Sequence, residues 1–149
     1  MYVPHTVTVY NSHENMDTIK TEYNITVLNG VLLDISKGAN VIKSGLENAD
    51  AATLFIPFDV EAVNGITGKA QTYLKPKEYE RAEDKSRYWT IRAGGPASVN
   101  DCFFVKGIVV SDMDYQDLDS YYDHVYRVSS VDPKDFGSSI MQHWEVKGR

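Results

Sequence analysis

Two alternating runs near the C-terminus constrain this chain most. From His124 to Lys147 it reads as strand, tight connection, strand. In the first run Val125, Arg127 and Ser129 should face one side and Tyr126, Val128 and Ser130 the other. In the second, His143, Glu145 and Lys147 should oppose Trp144 and Val146. Asp135-Phe-Gly137 is the expected turn, and Trp144 the expected core anchor.

Similar runs recur upstream. Thr6-Val-Thr-Val-Tyr10 alternates after Pro4, a natural strand start, and residues 11–17 read as a turn. Tyr23, Ile25 and Val27 alternate before Asn29-Gly30, and Val31-Leu-Leu-Asp-Ile35 follows. Asn-Gly between such runs signals either a hairpin or a bulge in one long strand, with the glycine at positive φ. The bulge is preferred, because three apolar residues directly after Gly30 suit a strand buried on both faces.

Residues 36–51 form a long polar segment with two glycines, expected to be a functional or mobile loop, or a wide hairpin with a short strand at 40–43. Residues 52–58 predict a strand with Leu54 and Ile56 on one face and Phe55 on the other. Pro57 marks an edge or a bulge. Residues 63–69 are turn-rich, residues 71–74 suit a short strand, and residues 76–83 a two-turn helix with Pro76 at its start, held by Tyr79 and Ala82. A strand at 88–91, a loop at 93–101 and an apolar strand at 102–110 follow, with Gly107 as a bulge or sharp bend. Tyr115, Leu118 and Tyr122 share one helical face.

About eight strands, two short helices and no regular β-α-β alternation predict an all-β, or β-rich α+β, fold: a small antiparallel barrel or sandwich with long loops. A length of 149 residues without repeat or linker suits one domain, and 42% apolar with 24% charged residues excludes disorder as the default.

Several function classes lose support. The net charge of −6 argues against a basic groove that wraps nucleic acid. The single cysteine, Cys102, allows no intrachain disulfide and suits a reducing cytosol. The N-terminus lacks a basic region and a long apolar run, so no signal peptide is expected, and no stretch approaches a membrane span. His5, His13, His124 and His143 are scattered without metal-ligand spacing; a fold could bring His124 and His143 together, but structural roles are the better reading. Cys102 lacks a motif for a nucleophile. Gly65-Ile-Thr-Gly-Lys69 echoes a phosphate loop but lacks its frame and reads as a turn. Asn24-Ile-Thr26 matches a glycosylation sequon with nothing to indicate secretion. No catalytic, cofactor-binding or metal residue, and no cofactor, is therefore assigned, and no enzyme activity is expected.

Asp112, Asp114, Asp117, Asp119 and Asp123 form an acidic run. It resembles a calcium loop superficially, since Asp117 stands where glycine is required and Asp123 where a bidentate Glu belongs. A solvated helix face explains it better. A further reading is a contact surface for a basic partner, or for the Lys69 to Arg92 region of a neighbouring copy.

Several stretches together resemble small prophage structural proteins of Gram-positive bacteria. They are His5-Thr-Val-Thr-Val-Tyr-Asn11, Gly30-Val-Leu-Leu-Asp34, Ser36-Lys-Gly-Ala-Asn40, Ser44-Gly-Leu46, Phe55-Ile-Pro-Phe58, Asp123-His-Val-Tyr-Arg-Val128, Asp135-Phe-Gly-Ser138 and His143-Trp-Glu-Val146. Such proteins are similar to the head–tail connectors of long-tailed phages: small β-barrels that assemble as rings between portal and tail. The resemblance implies a neck or head-closure subunit made in the bacterial host cytoplasm and placed in the virion. Its partners would be further copies of itself, portal or adaptor and tail proteins, and DNA passing without specific binding; no membrane is implied. The contact residues proposed on loop length and charge are Ser36, Lys37, Asn40, Lys43, Asp112, Asp114 and Asp117. A tail-completion protein, or a small binding module or enzyme whose site forms only on folding, are the alternative readings.

Overall fold

A computed structural model describes residues 2–35, 51–94 and 100–149. The expected contacts at Ser36, Lys37, Asn40 and Lys43, the alternative strand at 40–43, the expected mobility of the 36–51 loop and most of the 93–101 loop fall outside the described residues. Among the described residues are nine strands: β1 His5–Asn15, β2 Lys20–Ile35, β3 Ala52–Pro57, β4 Glu61–Asn64, β5 Thr72–Tyr73, β6 Tyr88–Trp89, β7 Cys102–Lys106, β8 Val125–Lys134 and β9 His143–Gly148. The described residues also hold two short α-helices, α1 Pro76–Arg81 and α2 Tyr115–Tyr121, and 3-10 turns at Lys85–Arg87 and Ser139–Met141. No helix among the described residues is long and apolar enough to cross a membrane.

The strands close into a six-stranded antiparallel barrel. β1-β2-β3 and β7-β8-β9 are two meanders, joined along β1–β7 and β3–β9. β4 lies outside this ring, paired to β2. Closure follows from two bends. β2 pairs with β4 through Thr26–Asn29 and with β3 through Leu32–Ile35, on the same edge. Gly30, between these two pairings, has φ +89°. The Asn-Gly step is thus a bend within one strand, and the hairpin alternative falls away. In β8 the register with β9 shifts between Val128 and Ser130. Ser129 Oγ donates to the Lys147 carbonyl at this step. Each bulged strand turns a corner and so serves both halves of the barrel.

The second bend overturns one expectation. Val128 is fully buried, yet Ser130 is exposed and Val131 packs against the core. The extra residue at the bulge reverses the alternation, so Ser130 does not share the face of Val128. Residues 11–15 also differ from expectation. They extend β1 instead of turning, because their backbone continues the β2 ladder as far as Asn15↔Lys20. The apolar run at 102–110 ends as a strand at Lys106, where Gly107 takes φ +88° and donates its amide to the Thr6 carbonyl.

The barrel interior is filled. Val7, Val9, Leu28, Leu54, Phe104, Val128 and Val146 form one cluster with Trp89 and Ile91 from the segment after α1. Trp144 anchors that segment, with ring centroids 4.4 Å from Tyr73 and 5.7 Å from Trp89. A second cluster lies on the outer face, where Leu118 of α2 covers Tyr10, Phe103, Val105 and Val125. Arg127 holds α2 in place, donating through Nε and Nη2 to the Asp101 carboxylate and lying 4.0 Å above the Tyr115 ring.

A Cβ at Gly30 would meet nothing closer than Val3 at 3.8 Å, so substitution there strains the backbone without a clash. Gly30→Ala is expected to cost about 1–2 kcal/mol, the left-handed penalty for an L-residue. Urea unfolding would measure it, with an unchanged m-value showing that the native surface is retained.

Candidate functional site

The barrel core turns polar towards one end. Going along β1 the inward residues are Val7, Val9, then Asn11; along β2 they are Leu28, Thr26, then Asn24, in register with them. Asn64 of β4 pairs with Thr26. Buried amides need partners, and residues 71–92 supply most of them, Asn11 Oδ1 having none among the described residues. Thr26 Oγ1 donates to Gln71 Oε1 at 2.6 Å, and Gln71 Nε2 donates to the Ser86 carbonyl at 2.8 Å. Asn24 Nδ2 is shared among the Tyr79 hydroxyl and the carbonyls of Lys85 and Tyr88, at 3.0, 2.9 and 2.7 Å. Asn64 Nδ2 donates to the Ser86 carbonyl and Asn11 Nδ2 to that of Thr90. Asn11 and Asn24 of the barrel, Asn64 of β4 and Gln71 thereby fix an irregular segment by its backbone.

Tyr79 sits at the centre, fully buried, and burial pushes its phenol up to about 12. The Lys85 ammonium and Arg92 guanidinium lie 5.4 and 5.6 Å from its ring centroid. Arg92 also pairs with Glu80 at 3.2 Å. Lys85 Nζ donates to the carbonyls of Glu80 and Ala82 at the end of α1.

Beside this segment is a cleft of about 490 Å³. Its walls are β1 and β2 beyond the barrel, the turn at 64–67 and residues 83–86. His13 Nδ1 is buried there without a hydrogen-bond partner among the described residues. Burial, aided by the positive charges of Lys85 and Arg92, lowers the His13 pKa below 6.5 against the pull of Glu22. Of the cleft hydroxyls, Ser86 Oγ donates to Asp84 and Thr67 Oγ1 accepts from the amide of Lys69. The arrangement presents acids, an apolar wall and a neutral imidazole, which suits binding.

The acidic run lies on and before α2. Asp114 caps the helix, accepting from the Asp117 amide at 2.8 Å. Asp112, Asp114, Asp117, Asp119 and Asp123 are all exposed, and among the described residues none forms an ion pair. No group of three or more His, Cys, Asp or Glu among the described residues is placed to hold a metal ion. The basic region from Lys69 to Arg92 is divided: Lys85 and Arg92 turn inward to Tyr79, while Lys69, Lys75, Lys77, Arg81 and Arg87 are exposed among Glu78, Glu80, Glu83 and Asp84.

The remaining sequence candidates resolve individually. Gly65 to Lys69 is a turn in which Asn64 Oδ1 accepts the amides of Ile66 and Thr67. Asn24 is buried with its amide nitrogen occupied, which removes it as a glycan acceptor. His5 Nδ1 accepts from the Leu33 amide; His143 Nδ1 meets the Met141 carbonyl and His124 Nδ1 the Tyr126 hydroxyl. His124 precedes β8 and His143 pairs with Lys134 at its far end, so they do not meet. Burial pushes the Cys102 thiol up to about 12, leaving it inert as a nucleophile. Sequence reading missed the Asn11–Asn24–Asn64–Gln71 set. Polar residues at inward positions of otherwise apolar alternating runs were its signal.

Over residues 2–149 the chain matches a family described as being of unknown function (DUF6751). No curated protein and no solved structure matches it.

Two outcomes follow from these groups. Because the folded His13 pKa is depressed, the unfolded chain takes up its proton first as pH falls. Stability is therefore lost as pH drops below about 6.5, and His13→Gln flattens that part of the pH–stability curve. Asp114→Ala removes the α2 cap and costs about 1 kcal/mol by urea titration.

Proposed function

Since the chain belongs to this family of unknown function, we propose on its own geometry that it is a phage virion component. It is a head–tail joining or neck subunit that assembles on the portal side, helps to close the DNA channel and receives the tail. The observation that carries this reading is the division into a closed barrel and a projecting ribbon. The barrel has few open edges, whereas β1 and β2 run on together beyond β7, whose pairing with β1 stops at Asn11↔Cys102. The ribbon's tip exposes Met16 and Ile19, at 83% and 78%. A rigid body with a protruding apolar-tipped arm suits insertion between neighbours in a ring.

Three further features support it. The stretches that resemble connector proteins include segments of β1, β2, β3, β8 and β9, all strands of the barrel. The barrel interior is packed with side chains, so DNA would pass between copies arranged in a ring and not through a subunit. The exposed acids of α2 would keep passing DNA from adhering. On this reading the protein is made in the host cytoplasm and resides in the virion, with portal or adaptor and tail proteins as partners.

Negative-stain microscopy of the protein mixed with purified portal rings is the test. Added ring density on the portal is expected, and Met16→Asp combined with Ile19→Asp should abolish it without lowering the melting temperature. A protein that stays monomeric and leaves portal rings unchanged would overturn the reading.

A further inference from the structure

The cleft beside the ribbon coincides with a strand edge that is unpaired among the described residues. Alternate residues of an antiparallel strand direct both backbone groups to the same side. The Ile25 carbonyl accepts from the Gly65 amide, so Ile25 faces the β4 side of β2. By the same alternation Tyr23 and Thr21 face that side as well. β4 pairing stops at Thr26↔Asn64, after which the chain turns away through residues 65–68. Among the described residues no strand pairs with the β2 edge over residues 20–23. The free backbone groups of Tyr23 and Thr21 thus lie where the β4 line would continue, and the cleft runs alongside them.

The β8 edge, by contrast, is blocked. Beyond its bulge, β8 carries Pro133, which has no N–H, and Lys134 paired to Asp132 and Glu145. Residues 20–23 hold no proline and no bulge. The cleft is also charged in one sense. Glu14, Glu83 and Asp84 line it, while its one lysine, Lys85, is committed to the carbonyls of Glu80 and Ala82 and its histidine is held neutral. Ile66, 69% exposed, and half-buried Tyr23 add an apolar shoulder. Gly65 lets this shoulder form, since a Cβ there would lie 2.9 Å from Val110 and 3.0 Å from Ile25.

We propose that the β2 edge at residues 20–23 accepts an extended basic segment of a partner protein as an added strand. The strand's backbone pairs with Thr21 and Tyr23. Its alternate side chains meet Glu83 and Asp84 on one face and, on the other, the Tyr23–Ile66 shoulder with Glu14 beside it, since Glu14 pairs with Thr21 and shares the face of Tyr23. This inference does not depend on the virion reading.

The test is an NMR titration of the full-length protein with a capped hexapeptide of alternating lysine and valine. Amide shifts and slowed exchange at Thr21 and Tyr23 are expected. The glutamate–valine counterpart and the lysine–valine peptide N-methylated along its backbone should not bind. Glu14→Gln with Glu83→Gln should weaken binding by about tenfold or more. Thr21→Pro, which removes an outward N–H, should abolish binding while the barrel amide signals persist. Binding that survives N-methylation or Thr21→Pro would overturn strand addition. So would shifts confined to α2, or no shifts at all. Concentration-dependent broadening at Thr21 and Tyr23 without peptide would assign the edge to a second copy and overturn the partner assignment.

Discussion

Closure of the barrel rests on two corners, the left-handed bend at Gly30 and the bulge at Ser129. A twisted sheet of six strands cannot close by twist alone at this length; strands must change direction. β2 does so at a residue without a Cβ. β8 does so by inserting one residue opposite β9. Both corners let one continuous strand belong to two faces, which removes edges that would otherwise need protection. The packed interior, the seams β1–β7 and β3–β9 and the position of Trp144 all depend on them.

Within that frame the core is not uniformly apolar. Its polar end is matched by the carbonyls of residues 85–90, so that a segment with little regular structure is specified by side-chain amides. An unpaired buried amide costs more than its hydrogen bond returns, so this network favours one docking of the segment over others. It also sets the cleft. Residues 83–86 form one wall because Asn24, Asn64 and Gln71 hold them there, and the ribbon forms another because β1 and β2 outrun the barrel.

Much of this was readable locally. The alternation in β1, β3 and β9, the bend at Asn29-Gly30, Pro76 opening α1 and the Tyr115–Leu118 face of α2 all follow from period, turn chemistry and capping. What failed did so for identifiable reasons. Residues 11–15 look like a turn by polarity, but Asn11 and Ser12 are polar residues buried at the barrel's end and residues 13–15 lie on the ribbon beyond it, so neither part shows apolar alternation. The corner at Ser129 carries no glycine or proline to mark it. The apolar run at 102–110 reads as one strand, although Gly107 ends it and the following residues cross to the outer cluster.

The sequence by itself determined a β-rich single chain, the inward identity of Trp144, Val146, Leu54 and Ile56, and the absence of any local catalytic motif, because each depends on neighbours within a few residues. Tertiary structure decided barrel over sandwich, the meeting of Asn24 with Tyr79 fifty-five residues away, and the open edge at Thr21 and Tyr23. Those depend on which distant strand runs out first. A strand edge becomes a site only where its neighbour stops, and no local pattern records where that happens.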